Sequence, residues 1–303
     1  MNRSSEKIIV VSCDSHYLVL LAALIKSIEI NKLGQGKLHF YVVEKGISHP
    51  EKQKLLESVN LKHIRVTWLK MRDVIPVGMK LPLDKSSYPL NIYIRLFVPF
   101  FVPEGVKKVL YLDVDMLVLN DITKIFEIEL GDNLVGAVAD PRIQTFDNPW
   151  GGVSNYRELG IAGDTRYFNT GLLLLNIPLW KEHRITEKII ECIEQNAWVA
   201  KYPDQYGLNV ILAKKWLEIS PLWNHFAHEG GVQPNIIHFT ERKPIFNSYN
   251  NDKEYQELFF KYLRLTQWAD FKTINEARRY SKKLQNVLGK FKLLIKRSNT
   301  YFL

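Results

Sequence analysis

Apolar and polar positions alternate along this chain in blocks that read as strand, helix, strand, helix, strand. Lys7 to Ser12 carries the unbroken apolar run Ile8-Ile9-Val10-Val11, the pattern of a strand buried on both faces. Tyr17 to Ile30 reads as a helix, Lys37 to Val43 as a second strand, and Pro50 to Val59 as a helix with proline in its first turn. Ile64 to Leu69 is the third strand. This βαβαβ opening predicts an α/β fold: a Rossmann-like, mostly parallel central sheet with helices on both faces. Beyond it the pattern predicts a helix near Asn91 to Phe97, a strand through Val109 to Leu119, and a short helix near Asp121 to Phe126. A strand at Leu134 to Ala139 comes next, then a polar, glycine-bearing stretch from Asp147 to Gly163, a strand at Gly171 to Leu175, and helices at Thr186 to Asn196 and Gln205 to Ala213.

One of these strands is interrupted. Asp113-Val114-Asp115 stands between the apolar runs Val109-Leu110-Tyr111-Leu112 and Met116-Leu117-Val118-Leu119. Carboxylates in an apolar sheet are costly unless a cation or hydrogen bonds meet them, so a metal held at a strand end is the favoured reading. Alternate residues of a strand share a face, so both carboxylates can aim at one ion if the chain bends there. The plainer alternative is a surface turn with two solvated aspartates. Asp14, just past the first strand, lies at the same end of a parallel sheet, which is where ligands bind such sheets.

Composition is ordinary for a globular protein: 303 residues, 46% of them hydrophobic. Cys13 and Cys192 lie far apart without metal-ligand spacing, so neither a disulfide framework nor a zinc site is expected, and a reducing compartment is. Asp14 and His16 break the first apolar run before a signal-peptide core or a spanning helix could form. The net charge of +9 is concentrated at one end, where eight Lys and Arg face one acidic residue between Glu276 and Leu303. There Tyr280, Leu284, Val287, Leu288, Phe291, Leu294 and Ile295 form the stripe of an amphipathic helix. A basic amphipathic tail over residues 275–303 fits an anionic membrane surface better than nucleic acid, for which no motif is present. A solvated terminal helix packed on the body is the alternative. The expected location is the cytoplasm, peripheral on the cytoplasmic face of the membrane.

Neither a GxGxxG turn nor a P-loop follows the first strand, where Ser12-Cys13-Asp14-Ser15-His16-Tyr17 stands instead. A nucleotide diphosphate here would need a divalent cation and basic side chains. Taken together, the motifs resemble the retaining glycosyltransferases of family 8, with the GT-A fold, and in particular the bacterial enzymes that move galactose or glucose onto lipo-oligosaccharide or lipopolysaccharide. The resemblance covers about residues 7–245. It implies that Asp14 contacts the base and Tyr17 stacks on it, that Arg95 lies beside the diphosphate, and that Asp113 and Asp115 in Tyr111-Leu112-Asp113-Val114-Asp115 bind manganese, with Asp113 also near the ribose. It implies that Asp140 and Asn169, in Phe168-Asn169-Thr170-Gly171, hold the donor sugar. Asp204 and Gln205 stand at the reaction centre, His238 is the third metal ligand, and Lys243 meets phosphate. An imidazole ligand suits manganese better than magnesium, the alternative ion.

The implied reaction is transfer of a hexose from UDP-galactose or UDP-glucose to a hydroxyl of a cell-surface or lipid-linked glycan. Residues 1–250 would form the transferase domain, with nucleotide binding in about 1–130 and donor and acceptor binding in 131–250. Residues 251–303 would form a helical extension. Read without the resemblance, several of these residues have simpler roles: Asp204 as a helix N-cap, Asp140 before Pro141 as a turn former, His238 as a core histidine, Arg95 as a surface ion-pair partner. Two departures stand out. His16 occupies a position where asparagine is common, and the His238-to-Lys243 interval lacks a glycine and carries Glu241 and Arg242. Other classes are a haloacid-dehalogenase-like phosphatase using the aspartate pair, against which Leu117 counts, and a non-catalytic binder of sugar nucleotides or glycans.

Overall fold

The structure, a computed structural model, describes residues 6–34, 36–84 and 86–299, with the side chains of 278, 279, 282 and 294–299 outside that description. The opening follows the hydrophobic pattern: β1 (Lys7–Asp14), α1 (Leu18–Asn31), β2 (Leu38–Lys45), α2 (His49–Glu57) and β3 (Ile64–Lys70). α2 starts in a capping box between Ser48 and Glu51, with Pro50 in its first turn. Then come α3 (Ile94–Phe101), β4 (Lys108–Leu112), β5 (Met116–Val118), β6 (Val135–Ala139), β7 (Phe168–Asn176), α4 (Ile177–Glu182), α5 (Ile185–Gln195), α6 (Pro203–Ile211), β8 (Trp216–Glu218), β9 (His225–Phe226), β10 (Ile236–His238), α7 (Lys253–Leu263) and α8 (Ala277–Asn299).

The main sheet has seven strands in the order β3-β2-β1-β4-β7-β6-β8. β7 runs antiparallel to both its neighbours and the other pairings are parallel. Strand alternation divides the core in two. Ile9, Val11, Leu110 and Leu112 pack under α1 and α7, while Ile8, Val10, Val109 and Tyr111 pack under α3, α5 and α6. A second sheet, β5-β10-β9, adjoins the first.

The aspartate pair does not lie within one strand, as the flanking apolar runs predict. β4 ends at Leu112, Asp113 to Asp115 form a turn, and β5 begins a different sheet. The bend is pinned from both sides, by Asp113 N donating to Gly171 O at 2.8 Å and Phe239 N donating to Asp115 O at 2.9 Å. The turn is largely covered, and Val114 between the two carboxylates is buried. The apolar runs therefore continue as two strands of two sheets, with a corner between them.

The three short strands β8 to β10, and helices α4 and α7, go beyond the elements expected from the pattern. α7 places Tyr255, Phe259 and Leu263 on one buried face, against α1, and Tyr262 OH meets Asn31 Nδ2 at 2.8 Å. α8 contains the predicted tail stripe, of which Leu294 and Ile295 fall among the side chains outside the described set. Among the described residues no helix is long and apolar enough to cross a membrane.

Candidate active site

The ends of β4 and β7, the turn between β4 and β5, the first turn of α6 and the segment after β10 surround one cavity of about 790 Å³. Arg95, Asp113, Asp115, Asp140, Asn169, Asp204, Gln205, His238, Lys243 and Tyr17 all line it. Asp14 does not. Its carboxylate caps the turn after β1, accepting from Tyr17 N at 3.2 Å, and it lines a neighbouring cavity of about 600 Å³ with Lys45, Trp268 and Gln285.

At the β4–β5 turn, Asp113 Oδ1 accepts from Arg95 Nη2 at 2.8 Å and from Tyr111 OH at 3.0 Å. Arg95 is buried; it donates through Nε to Ile92 O at 3.0 Å and through Nη1 to Thr170 O, stands over the Tyr111 ring, and lies 3.3 Å from Asp204 Oδ2. One guanidinium thus serves two carboxylates from different elements. Burial pushes Asp113 above the usual carboxylate range against the pull of Arg95, with Asp115 adding to the rise. Burial also raises Asp204, again opposed by Arg95. Asp115 goes the other way: against burial, Lys243, whose ammonium rests on its carboxylate, holds it low.

His238 arrives on β10, paired antiparallel with β5 so that it faces Met116. Its Nε2 lies 3.3 Å from Asp115 Oδ1 and 4.0 Å from Asp113 Oδ2. One ligand atom from each of the three residues lies within 4.8 Å of the others. The remaining ring nitrogen, Nδ1, meets the Asn224 amide oxygen at 2.8 Å. A carbonyl-type acceptor there assigns the proton to Nδ1 and leaves the Nε2 lone pair aimed at the carboxylates, which is the arrangement of a metal-ligating histidine. Two carboxylates and one oriented imidazole fit a divalent ion such as manganese.

Across the cavity a second polar group is closed on itself. Asn169 Nδ2 reaches Asp140 Oδ2 and Gln205 Oε1, both at 3.3 Å, and Gln205 Nε2 reaches Asp140 Oδ2 at 3.3 Å. Asn224 ties this group to the first, donating to Asn169 Oδ1 at 2.9 Å while accepting from His238. Neither Asn224 nor Tyr111 is among the candidates read from the sequence. Tyr111 was legible, since it stands two residues before Asp113 at the end of the same apolar run. Asn224, between Trp223 and His225, carries no comparable signal.

The closing segment places Lys243 Nζ on Phe239 O at 2.6 Å and Thr240 O at 3.1 Å. Glu241 turns away to pair with Arg142, from the loop after β6, and Arg142 in turn lies over the Trp150 ring. The acidic residue that looked out of place in this segment therefore bridges two loops at the cavity mouth. Arg242 pairs with Glu276.

A Rossmann-like sheet with an Asp-x-Asp corner at a strand end, and a histidine brought to it from a second sheet, defines the GT-A class of glycosyltransferase architecture. The sequence profile of Glycosyl transferase family 8 matches residues 8–263, and the chain belongs to that family. It is 27% identical to general stress protein A of Bacillus subtilis, over 88% of this chain and 96% of that protein. It is 28% identical to the glycosyltransferase GlyF of Streptococcus pneumoniae, over 87% of this chain but only 63% of the relative. In fold it is similar to galactosyltransferase LgtC, solved with donor and acceptor sugar analogues, with a TM-score of 0.70 at 23% identity, covering 91% of this chain and 99% of that one. The bifunctional glycosyltransferase WbbM gives a TM-score of 0.72 at 19% identity, and there the chain spans about half of the longer protein, 53%. The family implies a nucleotide-sugar donor, a glycan acceptor and a divalent metal, for which Asp113, Asp115 and His238 are the suited group.

Proposed function

We propose that this chain is a retaining hexosyltransferase that moves galactose or glucose from a UDP-sugar to a hydroxyl of a cell-surface or lipid-linked glycan in a manganese-dependent reaction. The single observation that carries the reading is the opposition, across one cavity, of the Asp113, Asp115 and His238 group to the Asp140, Asn169, Asp204 and Gln205 group. A manganese ion on the first group would supply Lewis-acid stabilisation of the leaving diphosphate. Arg95 orients Asp113 and pairs with Asp204, and Lys243 would follow charge onto the leaving phosphate. Asp140 and Asn169 offer the acceptors and donors that sugar hydroxyls need, and Tyr17 offers a ring to the base.

A double displacement needs a free carboxylate close to the anomeric carbon. Asp204 is held by Arg95, and Gln205 beside it is a poor nucleophile. A front-face displacement therefore fits better. The bond from the anomeric carbon to the phosphate oxygen breaks as the bond to the acceptor oxygen forms on the same face, and the acceptor proton passes to the departing phosphate oxygen. Gln205, whose amide oxygen accepts from Asn169 and Thr170, would steady the cationic sugar.

The test is a screen of UDP-sugars with manganese, reading UDP release without and then with glycan acceptors. UDP-galactose or UDP-glucose is expected to be turned over, and chelator or Asp113→Asn to abolish turnover. Activity that persists in chelator refutes the metal role, and a glycosyl adduct trapped on Asp204, or on any carboxylate, refutes the front-face route. The α8 helix exposes Tyr280, Leu284, Leu288 and Phe291 beside its basic residues, which supports an anionic membrane surface as the partner of the tail. Leu284→Gln with Phe291→Ser is expected to cut binding to phosphatidylglycerol vesicles; unchanged binding refutes it.

A further inference from the structure

The tail helix has a second face that the membrane reading leaves unused. Lys290 on α8 is buried, 4% exposed, and its Nζ reaches Asp84 Oδ1 at 2.8 Å and Oδ2 at 2.7 Å, and Ser86 O at 3.0 Å. Asp84 is equally buried and also accepts from Tyr93 OH at 2.6 Å and from Ser86 N at 2.6 Å. Tyr93 is fully buried just ahead of α3, two residues before Arg95. One turn earlier on the helix, Asn286 Nδ2 donates to Ser87 O at 3.2 Å, and Asn286 and Lys283 both line the catalytic cavity. Residues 283, 286 and 290 share one stripe of the helix.

This stripe faces the rim of the cavity. Tyr88 stands 6.1 Å from Tyr202, and Tyr202 5.8 Å from Trp150, so three aromatic rings run along the mouth from the segment that α8 holds to the loop that Arg142 holds. A donor diphosphate belongs at the metal-suited carboxylates, so the acceptor enters past the aromatic rim. At ~100° per residue, the exposed apolar stripe of Tyr280, Leu284, Val287 and Phe291 is centred roughly 100° around the helix from the cavity-facing one. A helix lying on a bilayer by its apolar stripe would therefore hold the cavity mouth beside the lipid surface.

We propose that α8 is a working wall of the acceptor site. Lys283 and Asn286 contact the acceptor glycan, and Lys290, locked onto Asp84, is the positioning residue that holds them and the Ser86–Tyr93 segment in place. This rests on the transferase reading above and adds what reads the acceptor. The acceptor class is a hexose glycoside with an apolar aglycone, its sugar at the aromatic rim and its aglycone along the apolar stripe.

The test uses the full chain with manganese, the UDP-sugar that the donor screen identifies, and octyl β-galactopyranoside and octyl β-glucopyranoside as acceptor probes. Wild-type transfer to at least one probe is expected. Lys283→Ala and Asn286→Ala should raise the acceptor KM by about tenfold or more, the scale of a lost charged or well-made hydrogen bond, while moving the donor KM less than about twofold. Lys290→Met should give the same split and faster amide exchange over residues 86–93; Lys290→Arg, which keeps the charge, should restore part of the protection. A donor KM that rises with the acceptor KM, an acceptor KM that stays unchanged, or no wild-type transfer to either probe overturns the proposal. Absence of any UDP-sugar turnover refutes the transferase reading instead. In that case unchanged exchange over 86–93 in Lys290→Met also refutes the docking of α8, and faster exchange leaves that part standing.

Discussion

A single methyl group at Gly171 tests how tightly the candidate metal site is built. A Cβ there would collide with Cε1 of His238 and come within 2.9 Å of Met116 Cε and 3.0 Å of Asn169 Oδ1. Met116 can give way, but the imidazole is held by Asn224 and cannot move without losing either that bond or its aim at the carboxylates. Gly171→Ala is expected to cost about 1–3 kcal/mol of stability, the range for overpacking, and to lower manganese-dependent UDP release about 10–100-fold, the typical cost of second-sphere damage to a ligand. Thermal melting and a manganese titration of the same variant check it; a folded variant with unshifted manganese dependence would show that His238 is not a ligand. At this scale most of the site was legible, because the chemistry dictates residue types. Asp113, Asp115, Asp140, Asn169, Asp204, Gln205 and His238 do meet in one cavity. Asp14 lines the adjoining one, because its carboxylate is turned into the cap after β1. Asn224 was hidden because an amide that bridges two other side chains leaves no spacing to read.

Among elements, α6 is the one whose placement matters most, since its first turn carries Asp204 and Gln205. It is seated by Gly207 against α5, where a Cβ would come within 2.6 Å of Ile193 Cγ1 and 3.0 Å of Ile189 Cγ2. The close approach explains a glycine in a helix interior, a position that otherwise weakens the helix. Gly207→Ala should destabilise by about 1–3 kcal/mol through overpacking and lower kcat by tilting the reaction-centre pair. Gly289→Ala on exposed α8, where a Cβ meets nothing within 4 Å, should stabilise by about 0.5–1 kcal/mol from helix propensity. Equal effects of the two substitutions on urea midpoints would refute the packing argument. The long elements were readable because burial leaves long apolar runs bounded by polar residues, as in β1, α1 and β7. β8, β9 and β10 have two or three residues each, too few for a period, and the order β4-β7-β6 with β7 reversed is a matter of long-range pairing that local pattern does not encode. The Asp113–Asp115 corner was misplaced for a related reason: two runs that belong to different sheets look continuous in sequence.

For the molecule as a whole, the buried Lys290–Asp84 pair ties the most basic part of the chain to the catalytic body, and its behaviour with pH follows from Asp84. Burial raises that carboxyl, but Lys290, Ser86 and Tyr93 together hold it below its ordinary value. A carboxyl depressed in the folded state contributes stability above its unfolded pKa of about 4 that is lost as pH falls through the folded value. Docking of α8 should therefore hold down to about pH 4 and weaken only below it. In Lys290→Met the sign reverses: burial is no longer opposed by an ammonium, the folded carboxyl rises above its unfolded value, and an uncompensated buried charge costs about 3–5 kcal/mol at neutral pH, less where the helix detaches first. Protonation relieves that cost, so the deficit of Lys290→Met relative to the wild-type chain should shrink as pH falls from 7 toward 4. Amide exchange over residues 86–93 and urea midpoints at pH 7 and 4.5 measure the two trends. A deficit that stays constant across this range would mean that Asp84 is not the charge Lys290 meets. A deficit that closes would identify Asp84–Lys290 as an ionic contact through which the basic tail is held to the cavity wall.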